Sequence, residues 1–332
     1  MSDLKGKRIL FFSPKFFNYE VAIKEEMERQ GAIVHLYDER CNPSSLEKII
    51  IRKCPNILKN KIFKNYSLII KKEETFSPDF IFFLSPETAT KECIDLMKKT
   101  WPKSLFILCM YDSIKNKNAK NIYMYFDRCL SFDPDDCKKY NFIFRPLFFM
   151  KTFEAKNEDI SYKYDFCFIG SVHSDRAKLL YKLKEEFDKE DLSYFYYLYF
   201  PGKLMYMARF ILDPYIRKFS KKYLYTVAID KNTVADISKH TRCIIDINHP
   251  KQTGLTMRTI EMLGLNQKIL STNGNIRNYD FYEPANQLIV DRNKIEIDKT
   301  FVKIKYKPVN DSIYSKYKLE SWVSDVFNVG DK

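Results

Sequence analysis

The sequence predicts an α/β protein of two domains, each a parallel sheet covered by helices, facing one another across a cleft. Three observations predict it. The chain has 332 residues, more than the roughly 100–200 of an ordinary single core. Short apolar runs such as RILFFS, DFIFFL and LFILCM alternate with amphipathic stretches, the pattern of strands buried on both faces. That alternation stops at a polar segment, KTFEAKNEDISYK at residues 151–163, and begins again after it, which places a domain boundary there.

In the first half, residues 8–13 are a buried strand and 19–30 a helix that stops at Gly31. A second strand covers 33–37 and a third 79–84, followed by a helix from Pro86 to about Lys99. Residues 105–110 and 128–132 give two more strands, and 141–144 a sixth. In the second half, residues 166–169 form a strand ending at Gly170, and 175–189 a long amphipathic helix. Residues 193–199 are aromatic-rich and strand-like, 234–238 a short helix, and 319–326 a closing helix. The densest segment is IIDINHPKQTGLTMRTIEMLGLNQKILSTNGNIRNYDFY. It reads as a strand (244–247), a polar loop (248–256), a short helix (257–265), a strand (268–270) and a second polar loop (271–279).

The chain is 45% hydrophobic and 30% charged, so it is globular. Its net charge of +13 comes from bases interleaved with acids, as in KLKEEFDKEDL. No basic arm, zinc-finger spacing or RNP-like motif accompanies them, which argues against nucleic acid. Anionic lipid or a nucleotide-linked substrate accounts for the same charge. The eight cysteines form no C-x-x-C pair, and the histidines show no metal-ligand spacing. The start, MSDLKGKRILFF, lacks a signal peptide's apolar core, and no window approaches the roughly 18 apolar residues of a membrane span. The expected location is the cytoplasm, with the inner face of the cytoplasmic membrane as a further option.

Open parallel sheets bind ligands at the C-terminal ends of their strands. That rule selects residues 13–18, 85–87, 111–113 and 133–135 in the first half, and 170–176, 248–258 and 271–278 in the second. In FIGSVHSDR, Gly170 permits a sharp turn, Ser171 and Ser174 can donate or cap, and Arg176 opens the next helix. This suits a diphosphate contact, or equally a helix cap with a solvated Arg. Around residue 258 the pattern is more specific. Thr256 can cap the helix, Arg258 lies in its first turn and Glu261 follows on the same face. An Arg is disfavoured near the positive end of a helix dipole, and a bound phosphate resolves that conflict. A surface Arg258–Glu261 ion pair is the plainer alternative. His173 and His249 lie in the same loops.

Strand, polar loop, TGLTMRTIEMLG, strand, then Thr272-Asn273 resembles the donor-binding region of GT-B glycosyltransferases. It is similar in particular to the group-1-like enzymes of bacterial capsule, O-antigen and exopolysaccharide synthesis. The resemblance covers about residues 164–282, with only architecture matching earlier. It implies two Rossmann-like domains, residues 1–150 on the acceptor side and 164–314 on the donor side, with residues 315–332 returning to the first. It further implies that Glu261 binds a ribose, that Arg258 contacts the diphosphate, and that the sugar lies over Gln252, Thr253 and Gly254. The family often carries a second glutamate eight positions before Glu261, where this chain has Thr253. Its glycine-rich loop after the first strand is replaced here by SPKFF.

Such enzymes neutralise the leaving diphosphate with Arg, Lys and helix amides rather than a metal, so no cofactor is expected, and no D-x-D motif stands out. An inverting transfer also needs a general base. Asp112, Glu87 and Glu20 are the candidates, Asp112 first because it ends an apolar strand. The expected partners are a nucleotide-sugar donor and a saccharide or lipid-linked acceptor. A non-catalytic nucleotide-sugar-binding protein and a sugar-nucleotide epimerase are the alternatives. Residues 194–225 mix aromatics, Met and bases with almost no acid. They fit a segment resting on anionic lipid, or a strand and helix packed in the second domain.

Overall fold

The computed structural model describes residues 4–40, 47, 55–114, 118–156, 160–250 and 252–328. They fall into two compact units, Met1–Leu147 with Leu319–Lys332, and Phe148–Lys318.

The first unit runs β1 (Arg8–Ser13), α1 (Tyr19–Arg29), β2 (Ile33–Asp38), α2 (Lys59–Lys72), β3 (Phe80–Leu84), α3 (Lys91–Thr100), β4 (Leu105–Met110), β5 (Arg128–Ser131), α4 (Pro134–Tyr140) and β6 (Ile143–Phe144). Its strands pair in the order β2-β1-β3-β4-β5-β6, all parallel. The order in which the chain adds strands reverses between β1 and β3, the kind of point where such sheets take ligands. Apolar side chains on both faces set the register there. Phe11 stacks on Phe82 at 4.8 Å and Phe12 on Phe83 at 4.7 Å, one pair on each face, so a slip of one residue would break both.

Helix α3 begins later than the sequence predicts, and a buried carboxylate accounts for it. Glu39 accepts hydrogen bonds from the backbone N–H groups of Glu87 and Thr88, both at 2.9 Å, and from Thr88 Oγ1 at 2.6 Å. Those amides are fixed in a loop and the helix starts beyond them.

The second unit contains β7 (Tyr164–Ser171), α5 (Arg176–Lys189), β8 (Tyr194–Tyr199), α6 (Lys203–Leu212), α7 (Pro214–Lys218), β9 (Leu224–Tyr225), α8 (Lys231–Lys239), β10 (Thr241–Asp246), α9 (Met257–Gly264), β11 (Lys268–Ser271), β12 (Gln287–Ile289) and α10 (Asp311–Lys316). Its order is β12-β11-β10-β7-β8-β9, again all parallel. The unit's first strand thus lies in the middle and the order reverses between β7 and β10, the doubly wound arrangement. Phe166 on β7 stacks on Phe187 of α5 at 4.3 Å, within the core.

The polar stretch 151–163 is not a free linker at its start. Phe148, Phe149 and Phe153 are buried, and Ala155 N donates to Gly264 O at 2.7 Å. These apolar anchors begin the second unit at Phe148, ahead of the stretch. The chain then returns as α11 (Leu319–Phe327), which buries Trp322, Val323, Val326 and Phe327 on the first unit. Phe327 meets Phe80 and Phe82 edge-on, each at 5.3 Å. Arg128 donates to the carbonyls of Asp325 and Val326 at 3.0 and 3.1 Å, satisfying acceptors that a helix end leaves open.

Candidate functional site

At the reversal point of the second unit, β10 ends in Asp246, which is buried. Its Oδ2 accepts hydrogen bonds from Thr256 Oγ1 and Thr259 Oγ1, both at 2.8 Å. Thr256 also caps α9 by accepting from Thr259 N at 3.3 Å. The carboxylate therefore fixes the start of α9 against the end of β10, and with it the direction of Arg258 and Glu261. Arg258 Nη2 donates to Ile169 O at 3.4 Å. Its Nη1 is buried with no hydrogen-bond partner and lies 3.7 Å from Glu261 Oε2. That distance is an ion pair beyond hydrogen-bonding range, and Glu261 is itself buried.

Across the same point stands the end of β7. Gly170 lies within the strand rather than in a turn, which corrects the sharp turn expected from sequence. A Cβ there would come within 3.1 Å of the Phe168 ring and 3.8 Å of Arg176 Nη1. Arg176 donates through Nε to Ile247 O at 2.8 Å and through Nη1 to Ser171 O at 3.0 Å, bridging the ends of β7 and β10. Burial pulls its pKa down; Asp246 opposes this, while Arg258 and Arg292 reinforce it. The guanidinium stays charged all the same. Ser174 does not cap α5, whose cap position is Asp175 without a side-chain bond. Its Oγ instead lies 3.2 Å from His173 Nδ1. The rings of His173 and His249 are 6.3 Å apart. Burial first, then the charges of Arg176, His249 and Arg209, pushes the His173 pKa down to about 4, so its imidazole is neutral at pH 7.

The loops after β10 and β11 are tied together. Gln252 Nε2 donates to Gly254 O at 3.1 Å, and Asn273 Nδ2 to Thr253 O at 3.1 Å and Gly254 O at 3.3 Å. Thr272 Oγ1 donates to Asn248 Oδ1 at 2.9 Å. The structure thus gathers Gly170, Ser171, His173, Arg176, His249, Gln252, Thr253, Gly254, Thr256, Arg258, Glu261, Thr272 and Asn273 around one edge of the second sheet.

Sequence reasoning missed Arg292. Its Nη1 binds both Asp175 oxygens at 3.0 and 2.8 Å, and its Nη2 binds Asn248 O at 2.5 Å, Asn248 Oδ1 at 2.6 Å and Thr272 Oγ1 at 3.1 Å. It sits just past a short edge strand, with no local pattern to mark it. Asp246 was missed too, although its place as the last residue of an apolar strand is a signal.

The three carboxylates of the first unit lie at the same edge of their own sheet, after β1, β3 and β4. Glu20 Oε2 accepts from Phe16 N at 3.1 Å and holds the loop that leads into α1. Glu87 Oε2 is 3.9 Å from Arg40 Nη1. Asp112 Oδ1 accepts from Ser113 N at 2.9 Å, and the following Ile114 N donates to buried Asp136.

No family model and no curated protein matches the chain. Solved structures match it over nearly its whole length. Anabaena HepE in complex with UDP and glucose superposes with a TM-score of 0.61 at 8% identity, covering 96% of this chain and 97% of that one. The lipopolysaccharide outer core galactosyltransferase WaaB gives 0.54 at 13%, covering 97% and 98%. The UDP-GlcNAc 2-epimerase of Methanocaldococcus jannaschii gives 0.55 at 12%, covering 98% and 100%. The fold is GT-B. The sheet-edge residues described above therefore belong to the second of two Rossmann-like units, as the sequence resemblance implies for the fold. Among the described residues of this GT-B chain, no helix is long and apolar enough to cross a membrane.

Proposed function

We propose that this protein transfers a sugar from a nucleotide-sugar donor to a saccharide or lipid-linked acceptor in the assembly of bacterial surface polysaccharide. The observation that carries the reading is Arg258 Nη1, buried without a hydrogen bond beside buried Glu261 at the start of α9. A diphosphate accepts from that guanidinium and from the first amides of the helix, and a ribose hydroxyl donates to Glu261. Neutralising the leaving diphosphate is the main electrostatic task of the reaction. Gln252, Thr253 and Gly254 face the sugar, and His173, neutral at pH 7, offers a hydrogen bond without adding charge. Asp112 takes the proton of the acceptor hydroxyl. Support comes from the fold, since HepE of the same fold holds UDP and glucose and WaaB is a lipopolysaccharide galactosyltransferase.

Calorimetric titration with UDP-sugars tests this directly. Arg258→Ala and Glu261→Ala should each weaken binding by roughly tenfold or more, about 1.4 kcal/mol. Unchanged affinity in both variants would place the donor elsewhere. With donor and acceptor identified, Asp112→Asn should lower kcat by about a hundredfold or more at unchanged donor affinity. An epimerase is the second reading, favoured by the match to the UDP-GlcNAc 2-epimerase. Conversion of the donor sugar in the absence of any acceptor would decide for it.

A further inference from the structure

We propose that α6, with the basic residues that follow it, seats the second unit on an anionic lipid surface. Helix α6 has the sequence KLMYMARFIL and contains no buried residue. Only Tyr206 and Phe210 pack inward on the core of the unit, with Tyr206 against Phe200 at 5.3 Å. The opposite side carries Leu204 (85% exposed), Met207 (57%) and Ile211 (69%), spaced as one helical stripe, and beside them Met205 (48%) and Leu212 (79%). Neither pure core packing nor an ordinary surface helix looks like this. The helix is apolar on both its inner and outer sides.

Charge identifies the occupant. From Pro201 to Ile229 the chain has Lys203, Arg209, Arg217, Lys218, Lys221 and Lys222 against a single acid, Asp213. That acid is used within the fold, accepting from Tyr215 N at 3.0 Å to cap α7. Arg217 donates to the carbonyls of Phe210 and Ile211 at 3.0 and 2.7 Å, closing the C-terminal end of α6 with a cation. Lys218 lies 4.8 and 5.1 Å from the rings of Tyr181 and Tyr215, and Lys222 lies 4.9 Å from Tyr223. Ammonium groups over half-buried tyrosines beside an exposed Leu–Met–Ile face match a bilayer interface. There the acyl boundary takes the aliphatic stripe, rings sit at headgroup depth, and lipid phosphates meet the lysines. Ten residues extend about 15 Å, too short to cross a bilayer, so the helix lies in the plane of the surface.

The test is co-sedimentation of the full chain with vesicles of phosphatidylcholine alone and with about 30 mol% phosphatidylglycerol added. The protein should bind the anionic vesicles at least roughly tenfold more strongly than the neutral ones, and less as salt rises. The variant Leu204→Ser/Ile211→Ser/Leu212→Ser should lose roughly tenfold or more of that binding with its melting temperature unchanged, because all three side chains are exposed. The variant Lys218→Gln/Lys221→Gln/Lys222→Gln should reduce binding to anionic vesicles alone. Absence of vesicle binding, equal binding to neutral vesicles, or full binding by the serine variant would overturn the proposal. Self-association abolished by the serine variant, without vesicle binding, would overturn it as well and assign the face to a second copy. No nucleotide-sugar enters the assay, so its outcome is independent of the transferase reading.

Discussion

His173 is a residue of the candidate site whose proton affinity the fold lowers, through partial burial and the neighbouring charges of Arg176, His249 and Arg209. Its folded pKa of about 4 lies below the ordinary value of 6.5, so between those values the unfolded chain binds a proton that the folded chain does not. Stability from this group is therefore fully present above pH 6.5 and is lost as pH falls toward 4. A His173→Gln variant should flatten that part of the stability profile, and the imidazole should titrate near pH 4 by NMR. Arg292 makes a second residue-scale case. It joins Asp175, Asn248 and Thr272, so Arg292→Ala removes the donor these three residues share and should cost about 2 kcal/mol in a urea titration. Arg292→Lys should cost nearly as much, since one ammonium cannot reproduce the fork. Arg258 and Glu261 were legible because a cation in the first turn of a helix contradicts the helix dipole. Arg292 contradicts nothing in its own segment; its meaning comes from side chains tens of residues away.

At the scale of elements, β10, α9 and β11 were legible because each is short, apolar and bounded by polar loops. Helix α2 was not. Its inward residues Ile62, Tyr66 and Ile70 recur at helical spacing, but they lie among lysines and further apolar residues that blur the period. Strand β12 has three residues and too little length for any periodicity. For residues 194–225 the sequence left two alternatives open. The structure divides them, burying Tyr196 and Leu198 of β8 in the core while α6 keeps its apolar face outside. The end of α9 supports a sharper expectation. A Cβ at Gly264 would lie 2.4 Å from Phe153 O and 2.6 Å from Phe149 Cγ, and the first of these is backbone that cannot swing aside. Gly264→Ala should therefore destabilise the second unit by about 3 kcal/mol, read as a lower denaturant midpoint. A neutral outcome would mean that the helix and the 148–153 segment do not pack this closely.

For the whole molecule, the alternation of strands and helices gave the class, and the sheet orders follow from where each unit places its first strand. What composition cannot supply is the pairing of distant segments. The first unit is closed by α11, which arrives after the entire second unit. Both tryptophans of the chain, Trp101 and Trp322, lie in the first unit, so indole fluorescence follows that unit alone. Trp322 is fully buried, and α11 is amphipathic, with Val323, Val326 and Phe327 turned to the same core. Trp322→Ala removes the largest of these contacts and should cost the first unit about 3–5 kcal/mol. The transition seen through Trp101 should move to lower denaturant, by that free energy divided by the slope of the transition. The second unit keeps every residue of the candidate site, so, on the function proposed above, nucleotide-sugar binding measured by calorimetry in the absence of denaturant should keep its affinity. If donor affinity fell with the fluorescence midpoint, the site would depend on the first unit. Retained affinity with an early loss of indole signal is the outcome expected if donor recognition rests on residues 148–318.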